Sequence, residues 1–448
     1  MDAAKITRRS FVKAGALGSA AVLAAGTGLA GSAMAEAEPK QVLRFGANYT
    51  PRKRWWYCWL DWDQRAVAED LEGVAGLGLD HIRIQLLWPF FEPGISTVSQ
   101  RSLENLRGLL DAADRAGLDV EITVLNGWMS GLSYLPAWVM PVARPEKGED
   151  WNMFTSRRVI EAEKLLFSRI VETVGNHKRF MGFDIGNELG VLQAINNPAT
   201  PAQADAWTTE ILGYCEQIAP GKFHVNGADD SHWFADFGFT RRNLATQGSA
   251  TVMHSYIYFT GVLERYKYND PASLHLADYM IELGAAYQTD LKRKVWVEEI
   301  GVANGWMPEA YKPEFMEHAI RNIAATGKAW GITWWCTHDI DPGIKDFNAL
   351  EYNLGLLDLN NRPKPLGRKF AELAAELRKS PAATAPRPLA LVIPDAGLQT
   401  KAYPADWKYA TPYMHLVEQG KTPQIVIESR ASDKTYLASR GITELVRI

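Results

Sequence analysis

The 448-residue chain holds 47% hydrophobic and 22% charged residues, ordinary globular proportions that exclude a disordered chain and a polytopic membrane protein. Lys plus Arg number 48 against 52 Asp plus Glu, a formal net charge of -4, which argues against nucleic acid as the main partner. The composition is unusual in its 16 Trp, as many as Tyr or Phe; indole faces pack cores but also stack on flat apolar ligands.

The chain opens with Thr7-Arg8-Arg9-Ser10-Phe11-Val12-Lys13, an Ala/Gly-rich stretch from Ala14 to about Ala30, and the small-residue site Ala33-Met34-Ala35. Residues 1–35 resemble a twin-arginine export signal, a receptor-read address rather than an anchor. The expected destination is periplasmic or extracellular, with no stable membrane insertion. Setting the signal's +3 aside leaves a chain of about -7, more acidic than the whole. Cys58, Cys215 and Cys336 are the only cysteines. Three allow at most one disulfide and show no zinc spacing, so the fold must rest on its core.

From residue 36 to 379 strand-like and helix-like segments alternate. Strands are predicted at Leu43–Tyr49, His81–Leu86, Val120–Leu125, Phe180–Gly186, Phe223–Asn226, Val252–Tyr256, Val295–Glu299 and Ile332–Trp335. Helices follow at about 63–77, 103–113, 155–174, 272–289, 311–325 and 366–378. Another starts at Thr200-Pro201-Ala202-Gln203, where Thr caps, Pro takes the first turn and Gln closes a capping box. Eight strands in about 340 residues predict an α/β fold, a (β/α)8 TIM barrel. The competing open doubly wound sheet would want a Gly-rich loop after its first strand, and Gly46-Ala47-Asn48-Tyr49-Thr50-Pro51 is not one. After a Pro/Ala linker, residues 387–448 read as a small β-α-β-α-β unit. It is too small to be comfortable alone, and is expected to dock on the barrel or on another subunit of a homo-oligomer.

Reactive groups of such barrels gather at the C-terminal ends of strands. Strand four ends Asn187-Glu188 and strand seven ends Glu298-Glu299-Ile300-Gly301. Two carboxyls at one barrel mouth are what glycoside hydrolysis needs: one protonates the departing oxygen, the other attacks the anomeric carbon or activates water. Arg83 on strand two is odd for a barrel interior unless paired, and a cation there holds a neighbouring carboxylate ionised. His254 and Tyr256 share a face of strand six by period 2. Trp335 offers an aromatic platform. Trp128, with Asn126 and Gly127 after strand three, fits a sugar pocket or a plain turn, and Trp88 lies at another strand end around the paired carboxylates, where a sugar face would stack. Trp207 and Trp296 read as packing. Asp229, Asp230 and His232 lack convergent ligand spacing for a metal. Asp184 is one residue off the active register and reads as an ion-pair partner.

Arg83, Asn187-Glu188, His254-Ser255-Tyr256, Glu299-Ile300-Gly301 and Trp335, in that order, resemble glycoside hydrolase family 5 within its clan of retaining (β/α)8 glycosidases. Asn48-Tyr49-Thr50-Pro51, Trp59-Leu60-Asp61 and Leu87-Trp88-Pro89-Phe90-Phe91-Glu92-Pro93 look like the branch holding bacterial exo-acting β-mannosidases. The resemblance implies Glu188 as acid/base and Glu299 as nucleophile, kept ionised by Arg83 and Tyr256. It implies Asn187 on the sugar 2-hydroxyl, His254 on the acid/base side, and Trp335 under the reacting sugar, with Trp128 a further sugar contact. The substrate expected is a mannose-containing oligosaccharide, with no cofactor and no metal. Endo-acting mannanase or glucanase action, and a β-galactosidase like those of family 42, are the alternatives; a non-catalytic sugar-binding barrel is a third. Glu298 competes with Glu299, the Glu-x-Gly spacing to Gly301 and the alternation with Val295 and Val297 favouring Glu299.

Overall fold

The structure is a computed structural model that describes residues 42–140, 151–195, 197–236, 238–382, 385–396 and 407–447. The twin-arginine segment lies outside them. Seven parallel strands form one curled sheet: Arg44–Asn48, His81–Leu87, Asp119–Asn126, Phe180–Asp184, Thr251–Ser255, Val295–Ile300 and Ala329–Trp334. These are barrel strands one to four and six to eight. Strand one pairs with both strand two and strand eight, so the sheet curls rather than lying open. The strands are buried along nearly their whole length, as parallel strands sheathed by helices are.

The fifth place is filled by the segment 223–226. Val225 bridges Asp184, and the Phe223 and Val225 N–H groups donate to Met181 and Phe183 on strand four. Gly182 permits this approach, since a Cβ there would lie 1.8 Å from the Phe223 carbonyl oxygen. On its other side His224 is reached by Ser249: the Ser249 N–H donates to the His224 carbonyl, and the His224 N–H to the Ser249 hydroxyl. The result is a (β/α)8 barrel. The predicted helices are present, including the Thr200–Gln203 capping box at the start of Pro201–Ile218; the one expected over 272–289 is broken into Pro271–Leu274 and Leu276–Tyr287. Among the described residues no helix is long and apolar enough to cross a membrane. All three cysteines are free and buried.

The C-terminal unit is a three-stranded parallel sheet in the order Gln424–Ile427, Leu389–Ile393, Glu444–Arg447. It docks on the helix Leu276–Tyr287. Tyr413 packs edge-on to Tyr279 and donates to Asp278 at 3.1 Å. Glu282 on the same helix is fully buried and meets Lys328 of the barrel together with Arg387 and Arg440 of the small unit. Burial raises the Glu282 carboxyl, but the three cations outweigh it and bring it down to about 2. A depressed folded value stabilises above the unfolded carboxyl's range, and that stability is lost as pH falls toward 2. Glu282→Gln is therefore expected to cost about 3–5 kcal/mol at neutral pH, because it leaves buried cations uncompensated. The deficit relative to wild type should shrink in melts taken near pH 3.

Candidate active site

Barrel strand seven sets the chemistry through an irregularity. Its residues Trp296 and Glu298 point into the barrel, where Trp296 meets His81, Phe223 and Trp330. Strict alternation would then turn Glu299 outward, toward the helices. The pairing with strand six instead jumps from Met253 opposite Val297 to His254 opposite Glu299. Glu298 is the extra residue of a β-bulge, which re-aims the side chain after it. Both carboxylates therefore reach the interior. This corrects the alternation argument: Glu299 does not gain its place by sharing a face with Val295 and Val297.

Arg83 lies beneath them, fully buried. Its Nη1 donates to Glu299 Oε1 at 2.6 Å and to Asn48 Oδ1 at 3.1 Å. Its Nη2 donates to Asp184 Oδ2 at 2.6 Å and to Asn187 Oδ1 at 2.8 Å, while Nε faces Glu298 at 3.3 Å. One guanidinium thus orients three acids and two amides, a use that its rigid fork of five donors allows and an ammonium does not. Asp184 takes the ion-pair role and also accepts from Thr123 at 2.7 Å.

Glu299 accepts a second bond from the Tyr256 hydroxyl at 2.7 Å. Burial, then the Glu299 charge, raises the Tyr256 phenol well above its ordinary value, so it stays a donor. Glu188 follows strand four in a left-handed conformation, φ 47°, with its N–H donating to the Gly227 carbonyl. This is a sparsely populated conformation for a non-glycine residue. Its carboxyl faces His254 Nδ1 at 3.1 Å, and His254 Nε2 faces Glu298 at 3.0 Å. Burial pushes the His254 imidazole down, but Glu299, Glu188 and Glu298 outweigh it and hold it well above its ordinary value. Burial raises the Glu188 carboxyl; His254 opposes and Glu299 adds to the rise.

One oxygen of Glu188, one of Glu299 and one nitrogen of His254 lie within 4.8 Å of one another. That spacing fits carboxyls about 5–5.5 Å apart, as in retaining glycosidases, and leaves no room for the water that inverting enzymes hold across about 6.5–9.5 Å. The same trio has the shape of a metal site, but its donors are committed: both nitrogens of His254 face carboxylates, and both oxygens of Glu299 accept hydrogen bonds. Asp229 is likewise engaged, its Oδ1 accepting from the Ser231 N–H.

The carboxyls open on a cavity of about 720 Å³ lined by Asn187, Trp128, Tyr256 and Trp335. Asn187 is fixed from both sides, its Nδ2 donating to the Trp128 carbonyl at 2.8 Å. Arg83 and His254 are buried behind the carboxyls and do not line the cavity, so they act on the carboxyls and are not direct sugar contacts. Trp88 does not reach it either: it opens the turn Trp88–Phe91, is buried, and donates to Glu92 at 2.8 Å. Trp55, Trp56 and Trp59 are core. Trp334 turns to Phe370 while Trp335 faces the cavity. Unforeseen among the lining residues are Tyr258, Phe259, Trp306 and Glu351. The aromatic run Tyr256-Ile257-Tyr258-Phe259 was a readable signal for the first two; Glu351 had none.

No protein-family model matches the chain, and no curated protein does. Solved structures do. A GH5_18 enzyme from Streptomyces cattleya in complex with GlcNAc is 36% identical over 91% of this chain and 99% of its own, with a TM-score of 0.85. This chain belongs to glycoside hydrolase family 5. A GH5_18 variant from Bifidobacterium longum subsp. longum, in complex with Manβ1-4GlcNAc, is 31% identical over 90% of this chain and 96% of its own, TM-score 0.83. The exo-beta-1,4-mannosidase Op5Man5 from Opitutaceae bacterium strain TAV5 shares the fold at 24% identity, covering 86% of this chain and 69% of its own, TM-score 0.71. The family 5 member described here is a glycosidase that hydrolyses O-glycosyl compounds, and its paired carboxyls and cavity occupy the mouth of the family's barrel.

Proposed function

We propose that this family 5 enzyme is an exo-acting β-mannosidase. It removes mannose from the non-reducing end of Manβ1-4GlcNAc and related oligosaccharides, by double displacement, after export through the twin-arginine route. The observation that carries the substrate is the likeness, at 36% and 31% identity, to GH5_18 enzymes crystallised with that disaccharide. The mechanism rests on the approach of two carboxyls to within 4.8 Å, oxygen to oxygen, in unequal surroundings. Glu299, held by Arg83 and Tyr256, attacks the anomeric carbon while Glu188 gives its proton to the departing oxygen. Water, deprotonated by Glu188, then releases the sugar from Glu299 with its β configuration retained. The unequal exposure suits these roles: the Glu188 side chain is 23% exposed, on the side where leaving group and water exchange, and Glu299 only 4%. Asn187 binds the 2-hydroxyl, and Trp335 stacks beneath the reacting ring.

The test is hydrolysis of 4-nitrophenyl β-mannoside, β-glucoside and β-galactoside alongside Manβ1-4GlcNAc and mannohexaose. The mannoside should be turned over fastest, and mannose should be the first sugar released. Preference for the galactoside, or internal cleavage of mannohexaose, would replace this reading with one of its alternatives.

A further inference from the structure

Another carboxyl of the cavity lining, Glu351, is used by neither the acid/base nor the nucleophile role. Glu351 sits on the short turn of 3-10 helix Ala349–Asn353 beyond barrel strand eight. It is 8% exposed and lines the same cavity as Glu188, Glu299 and Trp335. Its Oε2 is buried with no hydrogen-bond partner among the described residues.

The acids around Arg83 are engaged. Glu299 is held by Arg83 and Tyr256, and Asp184 by Arg83 and Thr123. Glu298 lies between Arg83 and His254. Glu121 also lacks partners on both oxygens, but it is sealed inside the barrel and meets no cavity. Asp229 also lines the cavity and its Oδ2 accepts no hydrogen bond, but that oxygen faces the His232 imidazole at 3.8 Å; Glu351 combines an orphaned oxygen and an opening onto the reaction centre with no ion-pair partner among the described residues. Burial is the main influence on its acidity, with the Ser130 hydroxyl opposing and the charges of Glu188 and Glu299 adding; together they bring it up to about 7. No cation figures among these influences.

Its position within the cavity follows from the turn that carries it. The Cys336 N–H donates to the Leu354 carbonyl at 3.4 Å and the Leu356 N–H to the Cys336 carbonyl at 2.9 Å, which ties the end of that turn to strand eight next to Trp335. Glu351 therefore stands on the Trp335 side of the cavity, where the reacting ring stacks in the proposed mechanism. A buried polar atom without a partner is rare in native proteins and calls for a group that supplies one. A bound sugar presents hydroxyl donors.

We propose that Glu351 is a specificity-determining residue of the glycone site, its carboxyl accepting hydrogen bonds from hydroxyls of the reacting sugar on the edge away from the anomeric carbon. Such a contact selects a terminal ring, because a hydroxyl substituted by a further sugar has no proton to donate. The inference rests on the glycosidase reading of Glu188 and Glu299.

The experiment takes the aryl β-glycoside that wild type hydrolyses best, with its 3-, 4- and 6-deoxy analogues, on wild type, Glu351→Gln and Glu351→Ala. A site built to bond a hydroxyl rejects the analogue lacking it, so wild-type kcat/KM should fall about 100-fold or more for at least one analogue. In both variants the parent glycoside should lose a similar factor, and the penalty for that analogue should shrink to within about threefold, as for two groups that interact. Variants within about threefold of wild type on the parent overturn the proposal. So does loss of activity with every deoxy penalty unchanged, which marks a structural role. A wild-type enzyme that hydrolyses no aryl glycoside overturns the glycosidase reading itself, so the two failures are distinct.

Discussion

Glu299→Ala should lower turnover of any aryl β-glycoside by about 10⁴-fold or more, the scale on which loss of a covalent nucleophile is felt. The variant should still fold. Arg83 keeps Asp184 and Glu298 as partners, so no buried cation is left alone. The space vacated beneath Tyr256 suits a small anion, and added azide should restore turnover to give a glycosyl azide of inverted configuration, attack now coming from the emptied side. Product analysis by NMR reads this directly. Glu298→Ala is the control. Glu298 is fully buried between Arg83 and His254, so its loss should depress the melting temperature without creating an azide-rescuable site. If azide rescues Glu298→Ala and not Glu299→Ala, the nucleophile has been assigned one residue too late.

That contest between neighbours marks where sequence reading stops. The barrel strands were legible because each is a short apolar run buried on both faces and bounded by helix signals. Arg83 was legible as a buried cation in need of acids, and the structure supplies Asp184, Glu298 and Glu299. The bulge was not. Whether strand seven gains a residue against strand six depends on the neighbouring strand, and alternation within one strand carries no trace of it. Strand five was legible as a segment but is tied in by one bridge to strand four; what seats it is the missing Cβ of Gly182, a fact about two strands at once. Trp88 was misplaced for a related reason. It lies at a strand end, but the chain coils there into Trp88–Phe91 and turns the indole to Glu92. Glu351 had no signal at all, since it lies on a loop where neither spacing nor period constrains a side chain's target. Local pattern thus fixes which strands bring chemistry to the barrel mouth, and contacts between strands fix which atoms meet there.

The second carboxyl should answer differently to removal. Glu188→Gln cannot donate a proton to the departing oxygen, and general acid catalysis contributes about 10²–10⁴-fold. The loss should be greatest for Manβ1-4GlcNAc, whose leaving group is a poor one. It should be small for the first step with a 2,4-dinitrophenyl glycoside, which departs without help. The second step, in which Glu188 acts as base, then becomes limiting, and the sugar should accumulate on Glu299 as a burst. Azide, which needs no base, should speed that step and give a product of retained configuration, opposite to the azide product of Glu299→Ala. The pH profile follows from the surroundings of Glu188. Burial and the Glu299 charge raise its carboxyl above the ordinary value while His254 opposes. The acid must be protonated to act, so kcat/KM should fall on the alkaline side as Glu188 loses its proton, at a pH above the ordinary carboxyl range. In Glu188→Gln that alkaline limb should vanish from the residual turnover of the 4-nitrophenyl glycoside, whose leaving group needs the proton more, because no proton remains to be lost there. An alkaline limb that survives unchanged in Glu188→Gln would place the acid elsewhere, with the two azide products reading out which carboxyl lies on which face of the sugar.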